Sequence, residues 1–132
     1  MKKYLLLTVS LSLLLSCTHG RTKNYPTVAD PSKAAEVFVI RNNNLFGWGF
    51  SLEVILDQTA IAKLRSGEYV AFYVEPGFHT IGTKNSEVNT PFEENKQYYF
   101  LISADTTQFG FEIMRISNDK GLVWLSRTKA VQ

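Results

Sequence analysis

The side chains able to do chemistry are few. One cysteine, Cys17, and two histidines, His19 and His79, are spread over 132 residues. Nucleophilic catalysis needs a hydroxyl or thiol beside a base that a third group orients. His79 is the only histidine in the part that reads as folded, and no Gly-x-Ser-x-Gly elbow accompanies it. A metal centre needs several His, Cys or carboxylate ligands that converge, and no such spacing occurs. The nearest carboxylate pairs are Glu93-Glu94 and Glu53 with Asp57. Adjacent residues on a strand point to opposite faces, so Glu93 and Glu94 read as a solvated loop. Nothing in these pairs favours the facing acids of a glycosidase. Gly47 and Gly49 lack the following helix that a dinucleotide site requires. His79 shares strand parity with Ile81, and a structural role with its ring hydrogen-bonded to nearby backbone is expected. The residues therefore read as a binding protein, with no catalytic residue, no metal and no diffusible cofactor.

Cys17 carries a different kind of chemistry. Lys2 and Lys3 precede an apolar stretch, Tyr4 to Leu15, broken only by Thr8, Ser10 and Ser12. This is the order of a secretory signal peptide, and it is too short for the roughly 20 apolar residues that span a bilayer. Leu14-Leu15-Ser16-Cys17 resembles the lipobox of bacterial lipoproteins. The resemblance implies cleavage after Ser16, a diacylglyceryl group on the Cys17 sulfur and, usually, an acylated new N-terminus. Without lipid, Cys17 would be an unexplained free thiol in an exported protein. One acyl chain binds a membrane marginally, whereas two or more anchor stably at about 0.8 kcal/mol per buried methylene. Thr18 is not the aspartate that commonly retains lipoproteins at the inner membrane. The expected location is thus the cell envelope, on the periplasmic face of the outer membrane if the source has two membranes.

Removing the signal also removes Lys2 and Lys3. Of fourteen basic residues twelve remain, against twelve acidic ones, so the net charge of +2 falls to about zero. No basic stripe stands out, and no nucleic-acid partner is expected. The 116 residues from Cys17 onward suit one small domain. With no disulfide available, that domain must be held by core burial. Thr18 to Lys33 is polar, contains Pro26 and Pro31, and reads with Cys17 as a tether over 17–33, with His19 a spacer. Sixteen flexible residues span roughly 20–24 Å on average and reach about 50–58 Å when extended.

From Ala34 onward short strand-like runs alternate with turn residues. Glu36 to Arg41 is rich in β-branched and aromatic residues. Phe50, Leu52, Val54 and Leu56 alternate with Ser51, Glu53 and Ile55. Val70, Phe72 and Val74 alternate with Tyr69, Ala71 and Tyr73. Tyr98, Phe100 and Ile102 share one face, Phe109 to Ile116 forms a further strand, and Asn85 to Asn95 is polar with Val88 and Phe92 as anchors. Period-two alternation with turns every 8–12 residues predicts a small antiparallel β-sandwich of about 7–8 short strands over residues 34–132. Asn118 to Thr128 fits either a strand after Asp119-Lys120-Gly121 or a short helix over the sheet. A terminal strand or irregular cover is preferred.

Val54-Ile55-Leu56-Asp57, Ile61-Ala62-Lys63-Leu64, Gly67-Glu68-Tyr69, Val74-Glu75-Pro76-Gly77-Phe78-His79 and the following Tyr98-Tyr99-Phe100 are similar to a known pattern. It resembles the PEGA-like domains and the uncharacterised bacterial lipoprotein domain related to them. The upstream Arg41 and Phe46-Gly47 fit as well, and the likeness runs roughly from Ala35 to Ser117. It implies a small prealbumin- or Ig-like sandwich on the cell surface with no established catalytic role. Gln58 departs from the pattern, which has glycine there. A two-residue type I′ turn requires positive φ at both central positions, so a longer loop or another turn type is expected.

Two sets of residues are candidates for contact with a partner. Asn42 to Gly49 joins two strands through three asparagines and two glycines yet holds Leu45, Phe46 and Trp48. Large rings on such a loop suit recognition. The alternatives are that Phe46 and Trp48 fold back to cap one end of the sandwich, and that Trp48 meets the lipid interface. The second set is Tyr69, Tyr73 and Tyr99 on an outer sheet face. The leading expectation is an adaptor with an envelope protein partner, engaged by the 42–49 loop or by strand addition at a sheet edge. The alternative is a binder of envelope glycan or another small ligand through the tyrosines.

Overall fold

The computed structural model describes residues 24–44, 49–105, 107 and 109–131. Nine strands in these residues form two stacked sheets, so the all-β sandwich expected from the alternation is the fold. The first sheet has the order β8-β7-β1-β4-β9, from β8 (Gly110–Ile116), β7 (Gln97–Asp105), β1 (Ala35–Arg41), β4 (Glu68–Val74) and β9 (Lys129–Ala130). The second has the order β3-β2-β5-β6, from β3 (Thr59–Leu64), β2 (Leu52–Leu56), β5 (Gly77–Gly82) and β6 (Glu87–Phe92).

The core follows from the period of two. Val37 and Val39 of β1, Val70, Phe72 and Val74 of β4, and Tyr98, Phe100 and Ile102 of β7 face inward. They meet Val54, Leu56, Ile61, Leu64, Ile81 and Phe92 of the second sheet. Phe92 packs edge-on against Tyr98 and Phe100, with ring centroids 4.7 and 6.1 Å apart. Such geometry brings the positive ring edge onto the negative face and adds to area burial.

Four expectations are corrected. The sandwich is not purely antiparallel, because β1 pairs parallel with β7 and β4 parallel with β9. The intervening strands cross to the second sheet and back, which lets β7 return beside β1 in the same direction. Asn118–Arg127 is an α-helix, α1, and not a terminal strand. Ser117 caps it by accepting the Lys120 N–H, Asp119 sits in its first turn and Arg127 in its last, as the helix dipole favours. Only Lys129–Ala130 after it is strand. Residues 87–92, read as a polar loop with two anchors, form β6; Pro91 is accommodated because β6 is an edge strand. Asp57-Gln58 is a two-residue turn after all, with φ of 47° and 69°. The Asp57 carboxylate offsets the cost of that backbone, since its Oδ1 accepts the Thr80 N–H at 2.9 Å.

The fold also takes in the end of the segment read as tether. Pro31–Lys33 forms a 3₁₀ turn capped by Asp30, whose Oδ1 accepts from Ser32 N and Oγ at 3.0 and 2.7 Å. Ala29 N–H donates to Glu75 Oε1 at 2.7 Å. The chain thus joins the sandwich beside the β4–β5 turn. β1 then runs about 20 Å to Arg41 at the opposite end, at roughly 3.3 Å per residue. The two ends are called here the near and the far end.

Candidate functional site

At the far end a cation lies inside the sandwich. Arg41 continues the inward parity of Val37 and Val39, and 1% of it is exposed. Its Nη1 donates to the carbonyls of Phe50 and Leu64 at 2.7 and 2.8 Å. Its guanidinium carbon lies 5.5 Å from the Phe50 ring centre and 5.0 Å from that of Phe111. Those two rings meet edge to face at 5.7 Å. Burial pushes the Arg41 pKa down, and the charge of buried Glu68 opposes that shift. A cation so held organises the aromatic residues around it.

Those aromatics line an open groove of about 530 Å³. Phe50, Leu52, Phe109 and Phe111 form its apolar part, with Glu53 and Lys84 among its polar neighbours. Phe50 is 51% exposed and Phe109 84% exposed. Phe109 also has a φ of 53°, in the left-handed region that a bulky residue seldom adopts. A large ring held in solvent on strained backbone is what contact surfaces tend to store. Sequence reading assigned Phe50 to one strand face with Leu52, Val54 and Leu56, and Phe109 to the start of a strand. No local signal marks Phe109, because Phe109-Gly110-Phe111 reads as the start of a strand with both rings on one face.

The start of the 42–49 loop is tied to the β3–β4 turn. Ser66 Oγ donates toward the Asn44 carbonyl at 3.1 Å and accepts from Asn44 N–H at 3.2 Å, and Gly67 N–H donates to the Asn42 carbonyl. Phe46 and Trp48 lie outside the described residues, as does Cys17 with its surrounding motif.

The near end is built differently. His79 Nδ1 lies 2.5 Å from Asp57 Oδ2, and Nε2 lies 2.8 Å from the Glu75 carbonyl. The structural role expected of His79, bonded to nearby backbone, is thus found, with Asp57 as a second partner. The ring stacks on Phe92 at 5.6 Å. Burial disfavours the charged form of Asp57, but hydrogen bonds from His79 and Thr80 N–H, with the charge of His79, outweigh it and hold its pKa below the usual carboxylate value. Both ring nitrogens of the imidazole are committed, so a general-base role would require it to release one partner. Glu93 pairs with Lys96 in the exposed β6–β7 turn, the solvated loop expected of Glu93-Glu94.

The tyrosines do not form one platform. All three lie on the outer face of the first sheet, but Tyr99 is 1% exposed. Its ring stacks on Phe38 at 4.9 Å and lies under α1 at Gly121. Only a glycine allows this approach, because a Cβ there would sit 2.2 Å from the Tyr99 ring. Tyr99 is therefore corrected from a surface candidate to a packing residue. Tyr69 is half-buried and Tyr73 exposed, and four residues of strand separate them by about 13 Å.

Among the described residues no three His, Cys, Asp or Glu side chains come together as metal ligands. Comparison with known proteins finds no matching family model, no matching curated protein and no matching solved structure. What fold and site define together is a β-sandwich with a polar, well-bonded near end and an aromatic, open far end.

Proposed function

We propose that this chain is a lipid-anchored protein of the bacterial envelope that binds a protein partner through its far end and does no chemistry of its own. The observation that carries the reading is Phe109, exposed and strained beside Phe50 at the rim of an apolar groove. The proposed lipid is on Cys17, twelve positions before Ala29, a reach of at most about 40–43 Å. Ala29 is held at the near end, so a tether to the proposed anchor leaves the sandwich at the end opposite the groove. That orientation favours a protein over the lipid surface as the occupant. Aromatic anchors at the centre of an interface commonly carry about 2 kcal/mol or more of binding each.

The test is photo-crosslinking in cells, with a benzophenone amino acid at position 109 and the anchor intact. A discrete protein adduct identified by mass spectrometry supports the reading. Adducts only to lipid or within the chain overturn it. Cys17→Ala should move the protein from the membrane fraction to the soluble one, and retention in membranes would refute the anchor.

A further inference from the structure

β4 is paired along nearly its whole length on one side and along only part of the other. β1 covers it from Tyr69 to Val74. On the other side β9 covers Glu68 and Tyr69 alone. There Lys129 N–H donates to the Gly67 carbonyl at 3.1 Å, and Val131 N–H to the Tyr69 carbonyl at 2.9 Å. The main-chain groups of residue 69 therefore point away from β1. Strand period is two, so those of Ala71 and Tyr73 point the same way. β1 agrees from its own side. Glu36 N–H donates to the Lys96 carbonyl, so Glu36 and Phe38, the residues opposite Tyr73 and Ala71, turn their main chain toward β7. Beyond β9 the edge thus offers two N–H groups and two carbonyls in a row. Among the described residues no strand pairs there, and both residues are exposed.

The other edges are blunted. On β8 the outward N–H of Ile113 is capped by Ser86 Oγ at 3.1 Å. β6 carries Pro91 and β3 carries Lys63, residues that discourage strand addition. The open stretch of β4 has no proline or lysine, and no capping side chain among the described residues.

We propose that the Ala71–Tyr73 edge of β4 is a second binding site that takes an extended segment of a partner protein as an added strand. β9 shows that this edge accepts a strand, and the added segment continues where β9 stops. Main-chain hydrogen bonds supply the attraction, and Tyr73 on the outer face selects an apolar or aromatic residue opposite it. A second copy of the chain fits less well. Paired antiparallel about Tyr73, it would bring its own β9 against the Pro76 turn, where Glu75 holds Ala29. This site stands apart from the far-end groove and does not depend on it.

The experiment uses a displayed library of random nine-residue peptides, selected on the purified full chain, with amide exchange followed by NMR. In the free protein the amides of Ala71 and Tyr73 should exchange faster than those of Val70, Phe72 and Val74. Selected peptides should slow exchange at Ala71 and Tyr73 by about tenfold or more. They should lose at least about tenfold in affinity for Ala71→Pro, which removes an outward N–H and no ladder bond but also fixes φ at position 71. Ala71→Lys, a change that keeps the N–H and cannot disturb the ladder, should also weaken binding. Failure to select any peptide, selection of peptides that leave these amides unprotected, or full binding to both variants would overturn the proposal. The position-109 crosslink is read separately, so failure of one site is distinguishable from failure of the other.

Discussion

The two ends of the sandwich treat charge in opposite ways. At the near end Asp57, His79 and Glu75 bond one another, the Thr80 backbone and, through Ala29, the arriving chain. At the far end the Arg41 cation is buried, bonded to carbonyls and flanked by Phe50 and Phe111. The near end uses its polar groups to close a turn and hold the chain. The far end uses its charge to hold rings at the surface, which leaves apolar area in water. The near-end groups are engaged largely with one another, whereas exposed rings over a rigid base can meet a partner.

The largest expected effect breaks the far end. Arg41→Ala removes a buried cation and leaves the Phe50 and Leu64 carbonyls and Glu68 without it. Denaturant unfolding should show a loss of about 3–5 kcal/mol. A smaller loss would mean that the rings stand without their base.

Between the ends, Gly121→Ala drives a methyl into Tyr99. Helix propensity alone would gain about 1 kcal/mol, but overpacking costs about 1–3 kcal/mol, so a net loss is expected by the same measurement. An increase in stability would show that α1 rides loosely over the sheet.

Phe109→Gly should raise stability by up to about 1 kcal/mol, because glycine accepts φ of 53° without strain and little burial is lost. The same variant should lose the proposed contact. Stability gained at the expense of binding sharpens the contrast between the ends, and a loss of stability would make Phe109 a packing residue.

The smallest effect lies at the near end and depends on pH. The folded pKa of Asp57 is lowered, so its stabilisation is complete above the unfolded carboxylate value of about 3.9 and fades as pH falls through the folded value. Its side chain is 48% exposed, so the effect is expected to be a fraction of a kcal/mol. Asp57→Asn should flatten the acid limb of the stability curve below about pH 4. An unchanged acid limb would remove Asp57 from the near-end network.

Much of the sandwich was legible because burial imposes a local pattern. Val70, Phe72 and Val74, and Tyr98, Phe100 and Ile102, alternate in sequence as they do in the core. β6 was less legible, since Glu87, Asn89 and Pro91 face water on an edge strand and dilute the signal. α1 was misread because Asp119-Lys120-Gly121 has the composition of a turn. Its glycine answers instead to a ring 22 residues earlier in the chain, which no local pattern reports. Of the candidate site, tyrosine parity was read correctly, but the covering of Tyr99 was not, for the same reason.

The sequence by itself determined which faces are apolar and where most turns fall, because these depend on neighbours within a few residues. It also carries the whole case for the lipid anchor, in Leu14 to Cys17. Only the tertiary structure decided that β7 returns parallel to β1, that Arg41 sits beneath Phe50 and Phe111, and that among the described residues no strand pairs with Ala71 to Tyr73 on the side away from β1. Those outcomes depend on which distant segments meet, and contact between distant segments leaves no period in the chain.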